Sequence, residues 1–527
     1  MKSILSRFLK LNKNHPRLVD SIILIILLLL FAIANLSIIG NSSASFDEGF
    51  SSYIATLSIL EISHYTSLDV HPPLYYILLH FWQNIFSNNI STIRSMSLVW
   101  SVISLVLAFL LVRKAFSRSS AWVSVFLLMI SPLFMYYSHN TRMYTMSLAI
   151  CLMATYILVL LHSTRRYGTR ILLWVVYAIL LALGMWTSYF TILIWISHFI
   201  WVIYENYSNT KTFHIRKIIP KAMLLSIALS IILYLPWIPF FISRYATVLN
   251  EGFWIGPVSI DTLISTLTTM TVLKPAYETS DWMALAVIEW LAISVLLIKR
   301  AYRSFNKPDL IFFRLLLITS FVPIIILIMM SMPPLRPSFT YRYVLVSLCF
   351  TIILVGIGLA MLKFNKNNHL KKSATATVII LTLSIGSLNF ILEGSYNLDT
   401  GKKDYISKLL NDIDKISDSN EPVIISSPYT YYAGAIYETQ KNKIYYIHNE
   451  SLKNIGSTMI LYDMPQKRGI KELASFIDNY DSIWIITREK NDPIMNSFSN
   501  FDVVQSIEIN DSKLGDDTMT AIQYNTR

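Results

Sequence analysis

Charge and cysteine are scarce in this chain. Only 14% of its 527 residues are charged, against about 25% in a typical soluble domain. That excludes a soluble protein of ordinary design. Its two cysteines, Cys151 and Cys349, both fall inside apolar runs, so neither a disulfide framework nor a thiolate metal site is indicated. No internal repeat or low-complexity segment stands out. The basic N-terminus leads into a long apolar run without a small-residue cleavage site, which reads as a retained first span and not a signal peptide. The net charge of +12 is not gathered in one patch. It lies in short clusters between apolar runs, so it argues against nucleic acid as a partner and serves instead as an orientation signal.

What is abundant is apolar sequence, at 54%. Runs long enough to span a bilayer occur at about 19–40, 92–112, 119–137, 143–162, 171–188, 189–204, 218–241, 283–298, 309–331, 343–362 and 373–391. The predicted fold class is therefore an α-helical polytopic membrane protein of about eleven spans. A short aromatic helix over 73–87 is predicted to lie flat at the membrane surface. With that helix flat and the N-terminus in the cytoplasm, the clusters Arg113/Lys114/Arg118, Arg165/Arg166/Arg170, Lys211/Arg216/Lys217, Lys299/Arg300/Arg303/Lys307 and Lys363/Lys366/Lys371/Lys372 all fall inside. The opposite loops hold only scattered basic residues. Polar features then collect on the external face of the cell membrane.

Beyond about residue 392 the long runs stop. Helices near 403–417, 429–438 and 468–480 alternate with strands at 422–426, 443–447 and 482–487, followed by strands near 502–509 and 518–524. This pattern predicts a small extracytoplasmic α/β domain, 392–527, beside a membrane domain, 1–391. The small domain has no glycine-rich phosphate loop, and no catalysis is assigned to it.

The first external stretch, within 41–90, carries the acidic pair Asp47-Glu48 and the run Asp69-Val70-His71-Pro72-Pro73. Carboxylates this close to a bilayer are costly unless they face water or a partner. The bland alternatives are a solvated loop and a pair of acids favoured at a helix start after Ser45. Asp69 and His71 are candidates for sugar or acceptor contact, or, with Asp47, for a divalent metal. Arg142 and Arg342 stand at external helix mouths, with Arg336 behind the second. A planar guanidinium suits a lipid phosphate, which is the reading favoured over a snorkelling interfacial anchor. Tyr144 and His139, beside Arg142, are further candidates for substrate contact, with packing and a hydrogen-bonded turn as their bland alternatives. Trp254, in GFWIGP, suits stacking on a sugar or a place in the interfacial aromatic belt.

Five stretches occur in order: SFDEGF, DVHPPLYYILLHFW, SHNTRMYTMSLAICLMATYIL, YLPWIPFF and RYVLVSLCFTIILVGIGLA. Together, over residues 20–362, they resemble the GT-C glycosyltransferases. The nearest are the family-39, protein-mannosyltransferase-like proteins and the bacterial lipid A and core sugar transferases, including aminoarabinose and galacturonosyl transferases. The resemblance implies transfer of a sugar from a polyprenyl-phosphate carrier to an extracytoplasmic glycolipid, cell-envelope glycan or protein. It implies Asp47 as the base, with Glu48 supporting it or meeting the acceptor. His139-Asn140 stand where relatives often carry Gln-Glu, so the resemblance supplies no carboxylate at that turn. The rival class is a transporter or lipid-sugar flippase. That class favours ionisable groups at the bilayer midplane and helices broken in paired halves, whereas the spans here are mostly free of charge.

Overall fold

The computed structural model describes residues 14–210, 219–251, 255–333, 335–362, 369–393, 405–418, 420–454, 456–488, 492–510 and 518–526. The first helix, α1 (Pro16–Leu36), starts on a proline and runs without a charge after Asp20. Three short helices follow, α2 (Phe46–Ala55), α3 (Ile59–Ser67) and α4 (Leu74–Ile85). Next come α5 (Ile90–Ala115), α6 (Arg118–Met129), α7 (Pro132–Ser138), α8 (Tyr144–Ser163), α9 (Tyr167–Thr187) and α10 (Thr191–Thr210). The bundle continues through α11 (Lys221–Tyr234), α12 (Ile238–Glu251), α13 (Ile260–Val272), α14 (Asp281–Ser304), α15 (Lys307–Met330), α16 (Leu345–Ala360) and α17 (His369–Glu393).

Among the described residues, eight helices are long and apolar enough to cross a bilayer, or up to nine if the bent α6–α7 pair is one span. Eleven runs are apolar in sequence, and the difference has local causes. Pro132 starts a new helix at 64° to α6, because proline cannot donate into the preceding ladder. The end of α10 carries Glu205, Asn206, Ser208 and Asn209, which lowers its apolar content. The sixteen residues of α16 are a turn short of a typical span. As the sequence predicts, α4 stays short. Its twelve residues cover about 18 Å, well under a hydrocarbon core of about 30 Å.

Close crossings are built from small residues, as expected where lipid supplies no hydrophobic drive between helices. A Cβ on Gly356 of α16 would sit 2.6 Å from Ser124 Cα of α6, and Ser124 Oγ donates to the Ile353 carbonyl at 3.0 Å. At the end of α1 near the first basic cluster, buried Asp20 accepts from Arg118 Nε at 2.6 Å and Trp122 Nε1 at 3.2 Å. That pairing ties α1 to α6.

The C-terminal region forms α18 (Ile406–Ile416) and a six-stranded sheet ordered β3-β2-β1-β4-β6-β5. Strands β1 (Val423–Ile425), β2 (Ile444–Ile447), β3 (Gly469–Ile470) and β4 (Ser482–Thr487) are parallel neighbours, whereas β5 (Asp502–Asn510) and β6 (Thr518–Asn525) run antiparallel at one edge. The helix α19 (Pro428–Gly434) links β1 to β2. One expectation fails in detail. The predicted helix over 468–480 is split into strand β3 and the short helix α20 (Leu473–Ile477). The open edge of β2 captures the first residues: Tyr446 donates to the Arg468 carbonyl and His448 to the Ile470 carbonyl.

Candidate active site

The ten-residue α2 sorts its side chains onto three faces, because residues three and four apart share a side of a helix. One face is sealed. Glu48 reaches back to the Ser45 amide at 3.1 Å, closing a capping box. Its two oxygens also receive Arg94 Nε and Nη2, each at 2.8 Å. The Thr141 amide donates to it at 3.2 Å. Arg94, on α5, spends its remaining donors on the carbonyls of Ile39, Ser42 and Ser43 at 2.8, 3.0 and 2.9 Å. Four residues further along the same face, Ser52 accepts from Gln83 at 2.7 Å. Glu48 is 2% exposed. Its partners occupy it fully, so the expectation of acceptor contact is replaced by a structural one: it anchors the start of α2.

The second face carries Asp47 and Ser51. Asp47 Oδ2 lies 3.2 Å from Arg342 Nη1, and Oδ1 lies 4.0 Å from Arg142 Nη1. Arg142 also reaches the Tyr76 hydroxyl at 3.2 Å. The sequence-predicted trio Asp47, Arg142 and Arg342 thus meets in one place, although 295 positions separate Asp47 from Arg342. Burial by itself raises the Asp47 carboxyl, but the guanidiniums of Arg142 and Arg342 outweigh it and hold the group below its usual value. Asp47 is therefore ionised at neutral pH.

Asp69 and His71 are buried nearby. Burial raises Asp69 above the ordinary carboxylate value, with Arg142 pulling it back. Burial and then Arg142 push His71 well below its ordinary value, so it is neutral. Among the described residues, no three His, Cys, Asp or Glu side chains gather as a metal site would need. Asp47 faces two guanidiniums instead of open carboxylates. The donor set of Asp47, Asp69 and His71 does not fit a divalent cation.

A small cavity beside Asp47 is lined by Ser45, Tyr137, Asn140, Tyr144 and Arg342. Two of its lining atoms, Asn140 Oδ1 and Tyr144 Oη, are buried without a protein partner, and so is the adjacent Arg142 Nε. Such orphans cost free energy unless a ligand or water meets them. Tyr144 and Arg342 also line a second cavity, and Phe190 and Tyr343 join that one to a third. The rings of Phe190 and Tyr343 stack with centroids 3.8 Å apart. The third cavity, of about 190 Å³, is mainly apolar, with Arg244 and Arg336 among its lining residues.

Other predicted residues stand apart. His139 bonds Asn35 Oδ1 through Nε2 at 2.7 Å and packs on Phe390. It holds a turn and does not face the Asp47 cavity. Trp254 lies outside the described residues. Sequence reasoning missed Arg94, whose signal was available: a lone arginine near the start of an apolar run must have a buried partner. Tyr76, Tyr137, Asn140 and Arg244 had no distinguishing signal.

The family model for dolichyl-phosphate-mannose-protein mannosyltransferase matches residues 70–240. No curated protein sequence matches the chain. Among solved structures, ArnT from Cupriavidus metallidurans bound to undecaprenyl phosphate is similar over 96% of this chain and 98% of that one, at 11% identity and a TM-score of 0.61. The apo form of ArnT gives the same score and identity, over 95% and 97%. The chain has the GT-C fold, in its ArnT-like form. The archaeal oligosaccharyltransferase AglB from Archaeoglobus fulgidus, in complex with an inhibitory peptide and a dolichol-phosphate, shares that fold more loosely. It matches over 90% of this chain and 70% of its own, at 11% identity and a TM-score of 0.51. Both the membrane bundle and the C-terminal sheet region lie within the matched span of ArnT.

Proposed function

We propose that the chain is an integral-membrane glycosyltransferase that moves a sugar from a polyprenyl-phosphate carrier to a hydroxyl or amine on a glycolipid, cell-envelope glycan or protein. The observation that carries this reading is an ionised Asp47 between Arg142 and Arg342, beside unpartnered buried polar atoms and joined through shared lining residues to a mainly apolar cavity. An apolar cavity with arginines in its lining suits a lipid tail ending in phosphate, since a guanidinium fork binds two phosphate oxygens at once. The carriers named with the neighbouring ArnT and AglB structures, undecaprenyl phosphate and dolichol-phosphate, belong to that chemical class.

In this reading the sugar lies between the two ends of the cavity series. Asp47 takes the proton of the acceptor group as the acceptor oxygen or nitrogen bonds to the anomeric carbon. The bond from that carbon to the phosphate oxygen breaks, and its electron pair leaves with the polyprenyl phosphate. Arg342, with Arg244 and Arg336 towards the lipid, balances the charge on the leaving phosphate. Attack opposite the phosphate inverts the anomeric carbon. The unpartnered Asn140 Oδ1 and Tyr144 Oη hydrogen-bond sugar hydroxyls in this reading. The N-terminus is cytoplasmic, and the site and residues 392–527 face outwards.

The test is purified protein in nanodiscs with a panel of polyprenyl-phosphate pentoses and hexoses, scored for release of polyprenyl phosphate. Release with one or more donors is expected, lowered on the order of a hundredfold or more in Asp47→Asn. Binding of undecaprenyl phosphate without release from any donor would favour the flippase class. Orientation is checked by labelling an exposed cysteine, Ser475→Cys, in intact cells; labelling only after permeabilisation reverses the topology.

A further inference from the structure

The third face of α2 carries Phe46, Gly49, Phe50 and Tyr53, and it is covered by the C-terminal sheet region. A Cβ on Gly49 would lie 2.4 Å from the Tyr432 carbonyl carbon and oxygen and 2.5 Å from the Ala433 amide. These are backbone atoms of α19, which cannot swing aside as a side chain can. Around this contact the Phe46 ring meets Tyr429 edge-on at 4.9 Å, and the Tyr53 ring meets Tyr432 at 5.2 Å. Two polar contacts fasten the approach to α2: Tyr437 Oη accepts from the Ala44 amide at 2.7 Å, and Ser43 Oγ lies 2.6 Å from Ser407 Oγ.

Asp47 therefore projects from a helix held on two sides. Arg94 holds Glu48 from within the bundle, and α19 holds Gly49 from the sheet domain. Only the side facing Arg142 and Arg342 is left for chemistry. From this geometry we infer that the C-terminal domain is a fixed positioning element of the Asp47 site, with Gly49 and Tyr432 as the contact that sets where the carboxylate points. The domain acts as a clamp that stays docked through turnover, not as a lid that lifts. This inference rests on the proposed transferase reading of Asp47.

Gly49→Ala wedges α2 away from α19. A displacement of about 1 Å at a reacting group costs on the order of a hundredfold in rate, so kcat is expected to fall at least tenfold with the KM for the polyprenyl-phosphate sugar unchanged. Gly168→Ala is the control, because nothing lies within 4 Å of its added Cβ. The second arm is the Ser43→Cys/Ser407→Cys double variant, oxidised to lock the domain in place and compared with its reduced form. Retained turnover in the oxidised form is expected. Wild-type kcat in Gly49→Ala, or loss of turnover on oxidation that is recovered on reduction, would overturn the clamp. If Gly49→Ala does not fold, the cross-linking arm decides alone. Normal turnover in Asp47→Asn would instead defeat the reading of Asp47 as the base, so the two failures are separable.

Discussion

The two arginine–carboxylate clusters at the start of α2 differ most in how much water reaches them. The side chains of Arg94 and Glu48 are 1% and 3% exposed, and every Glu48 oxygen has a partner. Asp47, the preceding residue, is 28% exposed, and Arg142 beside it retains capacity: its Nε has no protein partner. A buried pair with all its hydrogen bonds made is costly to break and hard to use. A pair at the edge of a cavity can exchange its partners for a substrate. One helical step of about 100° thus separates a structural carboxylate from one available for chemistry.

The largest effect expected tests the sealed cluster. Arg94→Met leaves Glu48 charged and buried, and breaking a buried pair costs about 3–5 kcal/mol. The thermal transition in detergent should fall steeply. The double variant Arg94→Met/Glu48→Leu should recover much of the loss. A wild-type transition in Arg94→Met would show that water reaches Glu48 and that the two carboxylates do not differ in burial. Asp47→Asn should do the reverse, lowering turnover on the order of a hundredfold or more while the thermal transition moves far less than in Arg94→Met and undecaprenyl phosphate binding holds. If Glu48→Gln lost as much turnover as Asp47→Asn at unchanged stability, the two roles would have to be exchanged.

Smaller effects probe the arginines. Arg142→Lys and Arg342→Lys keep charge but lose the fork. Each is expected to weaken use of the lipid donor about tenfold, read as kcat/KM with folding intact. The smallest effect is in pH. The folded-state value of Asp47 is depressed, so its ionisation is complete above the unfolded value of about 3.9 and is lost only as pH falls below it. Its stabilising contribution follows the same course. No loss of rate from Asp47 is expected between pH 7 and about pH 5. Arg342→Gln removes one of the opposing charges and should move the acid limb of kcat/KM upward. An acid limb already above pH 5 in the wild type would place the titrating group elsewhere.

Much of the frame was legible in sequence because it depends on local composition. The long runs α1, α5, α8, α14 and α15 appear within a few residues of where apolar periodicity puts them. The alternation of strands and helices after residue 392 was also visible, since short β-branched runs such as PVIIS and SIWIIT carry their own signal. The β3 edge strand was not, because two residues recruited by a neighbour's open edge leave no periodicity. The bend at Pro132 was marked by the proline, but the adjoining runs were each apolar enough to look continuous.

The site divides in the same way. Sequence alone determined that an acidic pair follows the first span and that arginines stand at two later helix mouths. These are properties of nearest neighbours along the chain. Only the tertiary structure decided that Glu48 meets Arg94, 46 positions away, and that Asp47 meets Arg342, 295 positions away. It likewise decided that the glycine of SFDEGF is where the C-terminal domain touches down. The reason is geometric: adjacent helical residues point about 100° apart, and what lies in each direction is set by the packing of distant helices, which no local pattern encodes.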